Sequence, residues 1–185
     1  EALNDLSIYW ETVRQYYAPF DTSPAFGSAE VYEHQMPGGQ YTNLREQAAA
    51  LGLGKRWPDL VKTYCEVNRL LGNIVKVTPS SKSVGDLAIF LITKGVKPED
   101  LINLPVETGF PESVIDLLSG NLGQPKGGWP KAVQKIILGG RKPTRGRPGA
   151  SAEKIDLKKT NRSLQRKLGR KVTSDDLFSS LMYPK

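Results

Sequence analysis

Cysteine and histidine are almost absent from this sequence, which contains one of each, Cys65 and His34. A single cysteine excludes an internal disulfide bond and is typical of a protein from a reducing compartment. One cysteine and one histidine cannot form the usual His/Cys metal site unless ligands come from elsewhere. A domain stabilised by internal disulfides and a His/Cys metal site formed by this chain alone are therefore excluded.

Long apolar runs are also missing. No run approaches the roughly 18 apolar residues that span a bilayer, so we expect no membrane partner. The first residues do not show a basic region followed by an apolar one, so no signal peptide is predicted. The composition of the 185 residues, 38% apolar and 24% charged, is typical of a soluble globular protein with one core of ordinary size.

Acidic residues are scarce in one segment. Residues 139–171, here called the basic segment, contain 12 lysines and arginines against 2 acidic residues, whereas the whole chain has a net charge of +7. The remainder of the chain is therefore slightly acidic. The basic segment has no aromatic residue, so stacking on nucleic-acid bases is not expected. We interpret it as a solvated surface or a subunit contact and predict no nucleic-acid partner.

The dominant pattern is helical. Apolar residues recur with a 3.6-residue period in successive stretches, and proline, glycine or capping residues bound most of them. The sequence predicts about eight helices and little strand, with a loop at residues 21–27. The helices are expected near residues 3–17, 42–51, 58–71, 83–95, 112–118, 130–137, 157–168 and 173–182, with a further short helix opening at residues 97–100. On the first helix we interpret Tyr9, Trp10 and Tyr17 as packing residues.

Residues 76–82 combine three hydroxyl groups with two ammonium groups. Pro79 disfavours a helical conformation for Thr78, and Ser80 or Ser81 is a candidate cap for the helix that follows. A helix N-terminus beside Lys82 favours an anionic or carbonyl-rich ligand. The alternative is an ordinary capped helix with no ligand. The pattern alone leaves both interpretations open. His34 lies near a glycine turn, and we interpret it as structural rather than catalytic.

Two longer stretches resemble the carboxyltransferase domain of pyruvate carboxylases. They are residues 31–44, VYEHQMPGGQYTNL, and residues 72–86, GNIVKVTPSSKSVGD. The resemblance covers essentially the whole chain, and its two motifs occur in the expected order. Oxaloacetate decarboxylases share the Pro-Gly-Gly element, but they tend to carry a form like Thr-Pro-Thr-Ser-Gln where residues 78–82 read Thr-Pro-Ser-Ser-Lys. The pyruvate enzyme is favoured, and the decarboxylase type is the alternative.

The resemblance implies a mainly α fold, a funnel-like subdomain of several helices that normally packs on a (β/α)₈ carboxyltransferase barrel. Its implied division has three parts. Residues 1–20 form the helix that follows the barrel, and residues 21–140 form the helical conserved carboxylase domain with the biotin-pocket motif. Residues 141–185 form a basic linker and the C-terminal helices.

The resemblance also implies an activity. In this family, carboxybiotin enters the funnel and its carboxyl group passes to pyruvate, which gives oxaloacetate. The threonine that matches Thr78 is held to relay a proton between the pyruvate methyl group and the biotin ring nitrogen. The residues that match Ser81 and Lys82 line the biotin pocket. A hydroxyl group suits the relay because it both donates and accepts a hydrogen bond.

The cofactors and partners implied lie mostly outside these residues. Biotin is carried on another domain, and pyruvate and a divalent metal ion sit in the barrel, whose ligands have no counterparts here. We therefore expect no metal bound by this chain and no carboxylation of pyruvate by these residues alone. The expected partners are the barrel, the biotin carrier domain and pyruvate, in a homotetramer located in the cytoplasm or, in eukaryotes, the mitochondrial matrix.

A different class of function stays open on the sequence. The chain could be a helical binding module whose basic segment binds RNA or an acidic protein. In that case residues 78–82 would be only a helix cap. Salt dependence separates the two interpretations, because nucleic-acid binding weakens steeply as salt rises.

Overall fold

The computed structural model describes residues 1–21, 27 and 29–183, and within them every regular element is helical. The prediction of a mainly α fold is confirmed. Most of the predicted loop at residues 21–27 lies outside the described residues. The α-helices are α1 Ala2–Tyr17, α2 Val31–His34, α3 Gly38–Ala50, α4 Trp57–Leu70, α5 Ser80–Lys94, α6 Glu112–Ser119, α7 Lys131–Leu138, α8 Pro148–Ser151, α9 Leu157–Leu168 and α10 Ser174–Met182. Short 3₁₀ helices lie at Ala18–Phe20, Gly54–Arg56 and Pro98–Asn103.

The chain divides into two compact units, Glu1–Gly146 and Arg147–Lys185. In the first unit, α5 is the central helix and packs against α3, α4 and α6, while α7 packs against α6. The core is made of apolar side chains from these helices. Its fully buried members include Leu44, Leu60, Val67, Leu71, Val84, Leu87, Leu91, Leu101, Val114 and Leu118.

Helix α5 approaches α3 closely at Gly85. A Cβ atom on Gly85 would lie 2.5 Å from the side-chain nitrogen of Gln40 and 3.0 Å from a methyl group of Leu44. Any larger residue at position 85 would therefore require the buried side chains of Gln40 and Leu44 to shift. The other end of α5 is set by Gly95, whose φ of 66° lies in the left-handed region, where glycine is favoured.

Helix α1 differs from the prediction. Its aromatic face was expected to be packed, yet none of its residues is buried. Tyr9 and Trp10 contact each other edge to face, with ring centroids 5.3 Å apart, but both are more than half exposed. Packing requires an apolar surface opposite the face, and the described residues provide none.

The second unit, described by itself, is held mainly by local polar contacts. The Asp156 carboxylate accepts a hydrogen bond from Lys159 N at 3.0 Å and caps α9. Thr173 and Asp176 form a reciprocal capping box at the start of α10. This box has aspartate at the position where glutamate is usual. Arg170 donates two hydrogen bonds to the Asp176 carboxylate, at 2.6 and 2.8 Å.

Candidate functional site

The candidate site begins in the connection between α4 and α5, at residues 71–79. Gly72 and Asn73 adopt left-handed backbone conformations, with φ of 91° and 54°, and turn the chain away from the end of α4. Ile74 is then buried against the core, whereas Val75 and Val77 are largely exposed. The bond between Thr78 and Pro79 is a cis peptide.

The hydroxyl group of Ser80 stabilises this turn. Its oxygen accepts a hydrogen bond from Val77 N at 3.1 Å and lies 2.8 Å from Val75 O and 2.7 Å from Val77 O, to either of which it can donate. The prediction that Ser80 or Ser81 caps the helix is wrong. Helix α5 begins at Ser80, three residues earlier than predicted, and Pro79 occupies the N-cap without a side-chain hydrogen bond. Ser80 is not available as a cap because its hydroxyl bonds back to the preceding turn.

Thr78 lies on the wall of a cleft. The cleft has a volume of about 540 Å³. Its walls are residues 72–75 and 77–80 on one side, and residues 122–126 with Leu117 and Trp129 on the other. The Thr78 side chain is exposed and makes no hydrogen bond to another described residue. Its hydroxyl group is therefore free to bond to a ligand.

The opposite wall comes from the loop between α6 and α7, rich in glycine and proline. Trp129 is buried, and its indole N–H has no acceptor among the described residues. Lys126 in the same loop is exposed. The position of this loop against residues 72–80 was not predicted, because the two segments lie about 50 residues apart and meet only through the packing of α5 on α6.

Ser81 and Lys82 do not line this cleft. Ser81 is only 4% exposed, while the Lys82 side chain is more than half exposed and forms an ion pair with Asp86, Nζ to Oδ2 2.5 Å. Successive helical residues point about 100° apart, which explains why neighbours in the motif diverge. The structure therefore places Thr78 on the cleft, Ser81 in the packed interior and Lys82 on the outer surface of α5.

Two further polar residues belong to this region and were missed by the sequence analysis. Asp86 accepts hydrogen bonds from both Lys82 and Ser113. The spacing of four between Lys82 and Asp86 could have indicated their pairing on one helix face. No sequence signal indicates Ser113, which is 27 residues away from Asp86.

His34 has a structural environment. Its ring is buried, and its Nδ1 accepts a hydrogen bond from Met36 N at 2.8 Å. Burial lowers the pKa of His34 below its ordinary value because the charged imidazolium loses hydration. The nearby Cys65 thiol donates to Glu33 O at 3.3 Å, and burial raises the pKa of this thiol. These contacts support the structural interpretation of His34.

Within residues 1–21, 27 and 29–183, no group of three or more histidine, cysteine or acidic side chains is arranged to hold a metal ion. The described helices also include none that is long and apolar enough to cross a membrane. The described residues therefore supply no such group of ligands for the divalent metal that the resemblance places in the barrel.

Comparison with known proteins assigns the family. The sequence model of the conserved carboxylase domain matches residues 31–185. The chain belongs to the conserved carboxylase domain family. It is 44% identical over 184 residues to pyruvate carboxylase 1 of Caenorhabditis elegans and 41% identical over 180 residues to pyruvate carboxylase of Bacillus subtilis. These alignments cover 98% and 97% of this chain, but only 16% of each relative.

Solved structures show which part of a larger domain this chain resembles. The carboxyl transferase domain of Rhizobium etli pyruvate carboxylase superposes with a TM-score of 0.87 at 46% identity, covering 97% of this chain and 30% of that one. The same domain solved with pyruvate and biocytin gives a TM-score of 0.87 at 45% identity, covering 98% and 30%. The conserved carboxylase domain described here thus corresponds to about a third of a carboxyl transferase domain.

Proposed function

We propose that this conserved carboxylase domain is the funnel of a biotin-dependent pyruvate carboxylase, where carboxybiotin enters and its carboxyl group is transferred to pyruvate. The relatives that match it carry the name pyruvate carboxylase. A related carboxyl transferase domain was solved with pyruvate and biocytin. Oxaloacetate is the product of this transfer.

The observation that carries the proposal is the position of Thr78. Its hydroxyl group lies free of other hydrogen bonds on the wall of a cleft of about 540 Å³. Such a hydroxyl can accept one proton while it gives up another, so it need never become a free alkoxide. Thr78 then moves a proton from the methyl group of pyruvate to the ring nitrogen of biotin.

Ser81 and Lys82 have supporting roles in the proposal. The Lys82 ammonium group carries three N–H donors, and its ion pair with Asp86 uses one of them. The remaining donors can bond to the ureido oxygen of biotin and stabilise the charge that develops there. Ser81 is buried and does not line the cleft, so its proposed contact with biotin requires the site to open around its hydroxyl group.

The remaining parts of the reaction belong to other segments. Pyruvate and the divalent metal are assigned to a barrel, and biotin is assigned to a carrier domain of the same homotetrameric enzyme. The exposed aromatic face of α1, with Tyr9 and Trp10, offers an apolar surface on which a barrel can pack. Such an enzyme works in the cytoplasm or in the mitochondrial matrix.

The first prediction tests Thr78 in the complete enzyme. Thr78→Ala removes the proton relay, and we expect carboxyl transfer to pyruvate to fall by about 10²- to 10⁴-fold. ATP cleavage during the carboxylation of biotin should continue, because that step does not use this site. Thr78→Ser should keep part of the activity because it retains the hydroxyl group. The two half-reactions are assayed separately for each variant.

Thr93→Ala is the matched control for Thr78→Ala. Thr93 is an exposed threonine near the other end of α5 and lies outside the cleft. Its replacement should change neither half-reaction. The proposal is wrong if Thr78→Ala slows both half-reactions equally, or if it slows neither, since Thr78 would then be a purely structural residue.

A further inference from the structure

The ion pair between Lys82 and Asp86 is held in place by a second helix. The Oδ2 atom of Asp86 accepts hydrogen bonds from Lys82 Nζ and from the hydroxyl group of Ser113 at the start of α6. The Asp86 side chain is 16% exposed, whereas that of Lys82 is 56% exposed. The carboxylate is thus the fixed partner, and the lysine reaches it from the surface.

Ser113 is itself fixed by a separate contact. The hydroxyl group of Ser83 donates to Ser113 O at 2.9 Å, and Ser83 is 1% exposed. Two hydrogen bonds therefore run between α5 and the first turn of α6, one in each direction. Together they restrict where the Asp86 carboxylate can lie, because Ser113 is bonded to α5 through both its carbonyl oxygen and its hydroxyl group.

This arrangement differs from an ordinary surface ion pair. A pair of two flexible side chains contributes little, because both lose rotamer freedom when they meet. Here one partner is already ordered by Ser113, and only Lys82 has to be ordered. An ammonium group held in one place before a ligand arrives loses less entropy on binding that ligand.

We propose that Asp86 is a positioning residue for carboxyl transfer, which holds the Lys82 ammonium group where it bonds to the ureido carbonyl oxygen of biotin, with Ser113 holding Asp86 in turn. The inference rests on the proposed role of Lys82. Asp86 itself does not contact biotin in this arrangement. A carboxylate only accepts hydrogen bonds, and the ureido oxygen also only accepts, so Asp86 acts through the lysine.

The test uses the complete enzyme in the reverse direction, with oxaloacetate as the donor and free biotin as the acceptor of the carboxyl group. The quantities measured are kcat and KM for free biotin. We expect Lys82→Gln to raise this KM by about tenfold or more, because a hydrogen bond from a charged donor is lost. Asp86→Asn should raise it by about fivefold, and Ser113→Ala by about twofold, each with a smaller change in kcat.

A double-mutant cycle separates positioning from a general structural effect. If Asp86 acts through Lys82, adding Asp86→Asn to Lys82→Gln should raise KM no further. Asp116→Asn is the matched control, since Asp116 lies on α6, pairs with Asn121 and makes no contact with Lys82. Circular dichroism and the thermal unfolding of each variant check that it is folded.

The outcomes distinguish the inference from the proposed function. An equal rise in KM on Asp86→Asn with and without Lys82 would overturn the positioning role, as would an unchanged KM for both Asp86→Asn and Ser113→Ala. If Asp86→Asn fails to fold, Ser113→Ala alone decides, because it leaves the ion pair intact. A normal KM in Lys82→Gln, with transfer still lost in Thr78→Ala, would overturn this inference and leave the proposed function standing.

Discussion

Helices α4 to α7 and helices α9 and α10 are stabilised by different kinds of interaction. Each helix from α4 to α7 has at least three buried side chains, and the four share one apolar core. Helix α9 has no buried side chain, and α10 has one, Leu177. The first group depends on the burial of apolar surface, and the second depends on caps and an ion pair.

The difference has a consequence for the site. Thr78, Lys82 and Asp86 lie on or next to α5, the central helix of the well-packed group. A site that must hold reacting atoms in place benefits from support by packed helices. The basic segment, in contrast, includes α9, which carries five cations and no acidic residue, and its surface position leaves these charges in water.

The second prediction, and the largest effect on stability, tests the comparison directly. Leu87→Ala on α5 removes a fully buried side chain, and we expect the free energy of unfolding to fall by about 2–5 kcal/mol. Urea denaturation of the 185-residue chain gives this value. In the matched control, Leu157→Ala on α9, the leucine is 46% exposed, and the loss should be within about 0.5 kcal/mol.

Equal losses of unfolding free energy for Leu87→Ala and Leu157→Ala would contradict the difference described between the two groups of helices. They would mean that α9 is buried to a similar extent in solution, since an exposed leucine has little apolar surface to lose from the interior. A loss for Leu157→Ala that appears only at high protein concentration would instead show that copies of the chain cover α9.

The third prediction separates the two regions by pH. His34 is buried beside α4 with a pKa below its ordinary value of 6.5, so the unfolded state binds its proton more readily. The His34 contribution to stability is therefore complete above about pH 7 and declines as the pH falls through 6.5 towards the lower pKa of the folded state. Urea denaturation between pH 7.5 and about 5 should show this decline, and His34→Asn should reduce it.

In α10 the pH-dependent loss of stability is expected only at acidic pH. Hydrogen bonds from Arg170, and next from Thr173, lower the pKa of Asp176 below its ordinary value of 3.8. The contribution of Asp176 is present above this ordinary value and is lost as the pH falls through the lower folded pKa. Amide chemical shifts of Thr173 and Asp176 should stay constant from pH 7 to about 5. If these chemical shifts changed over the pH range in which His34 titrates, the prediction that the two regions respond at different pH would be wrong.

Much of the helical pattern was predictable from the sequence because it depends on local periodicity. The repeat of Val84, Leu87, Ala88 and Leu91 places α5, and all four are fully buried. The helix start was misplaced because the serines after Pro79 have two ways to bond. Ser80 can cap a helix or bond back to the preceding turn, and only the path of residues 74–77 decides between them.

The candidate site was predictable only in part. The resemblance pointed to Thr78, and the structure places it on a cleft, but the second wall at residues 122–126 depends on how α6 packs on α5. The bond from Ser113 to Asp86 likewise depends on tertiary packing. The aromatic face of α1 was also predictable only in part. Periodicity predicts an apolar face, but it does not predict what covers that face.

The last prediction concerns the smallest expected effect, in the basic segment. Changing Arg141, Arg145 and Arg147 to alanine should not alter RNA binding, because we expect no submicromolar RNA binding at physiological salt. Without aromatic residues to stack on bases, contacts would be limited to phosphates, and such binding weakens steeply between about 50 and 200 mM salt. Arg141 is also partly neutralised, since it lies 3.5 Å from Glu112. Fluorescence anisotropy of a labelled RNA measures the affinity at both salt concentrations. Submicromolar binding near 150 mM salt, lost in the triple variant, would show that the basic segment is a nucleic-acid site after all and would favour the binding module over the carboxyltransferase.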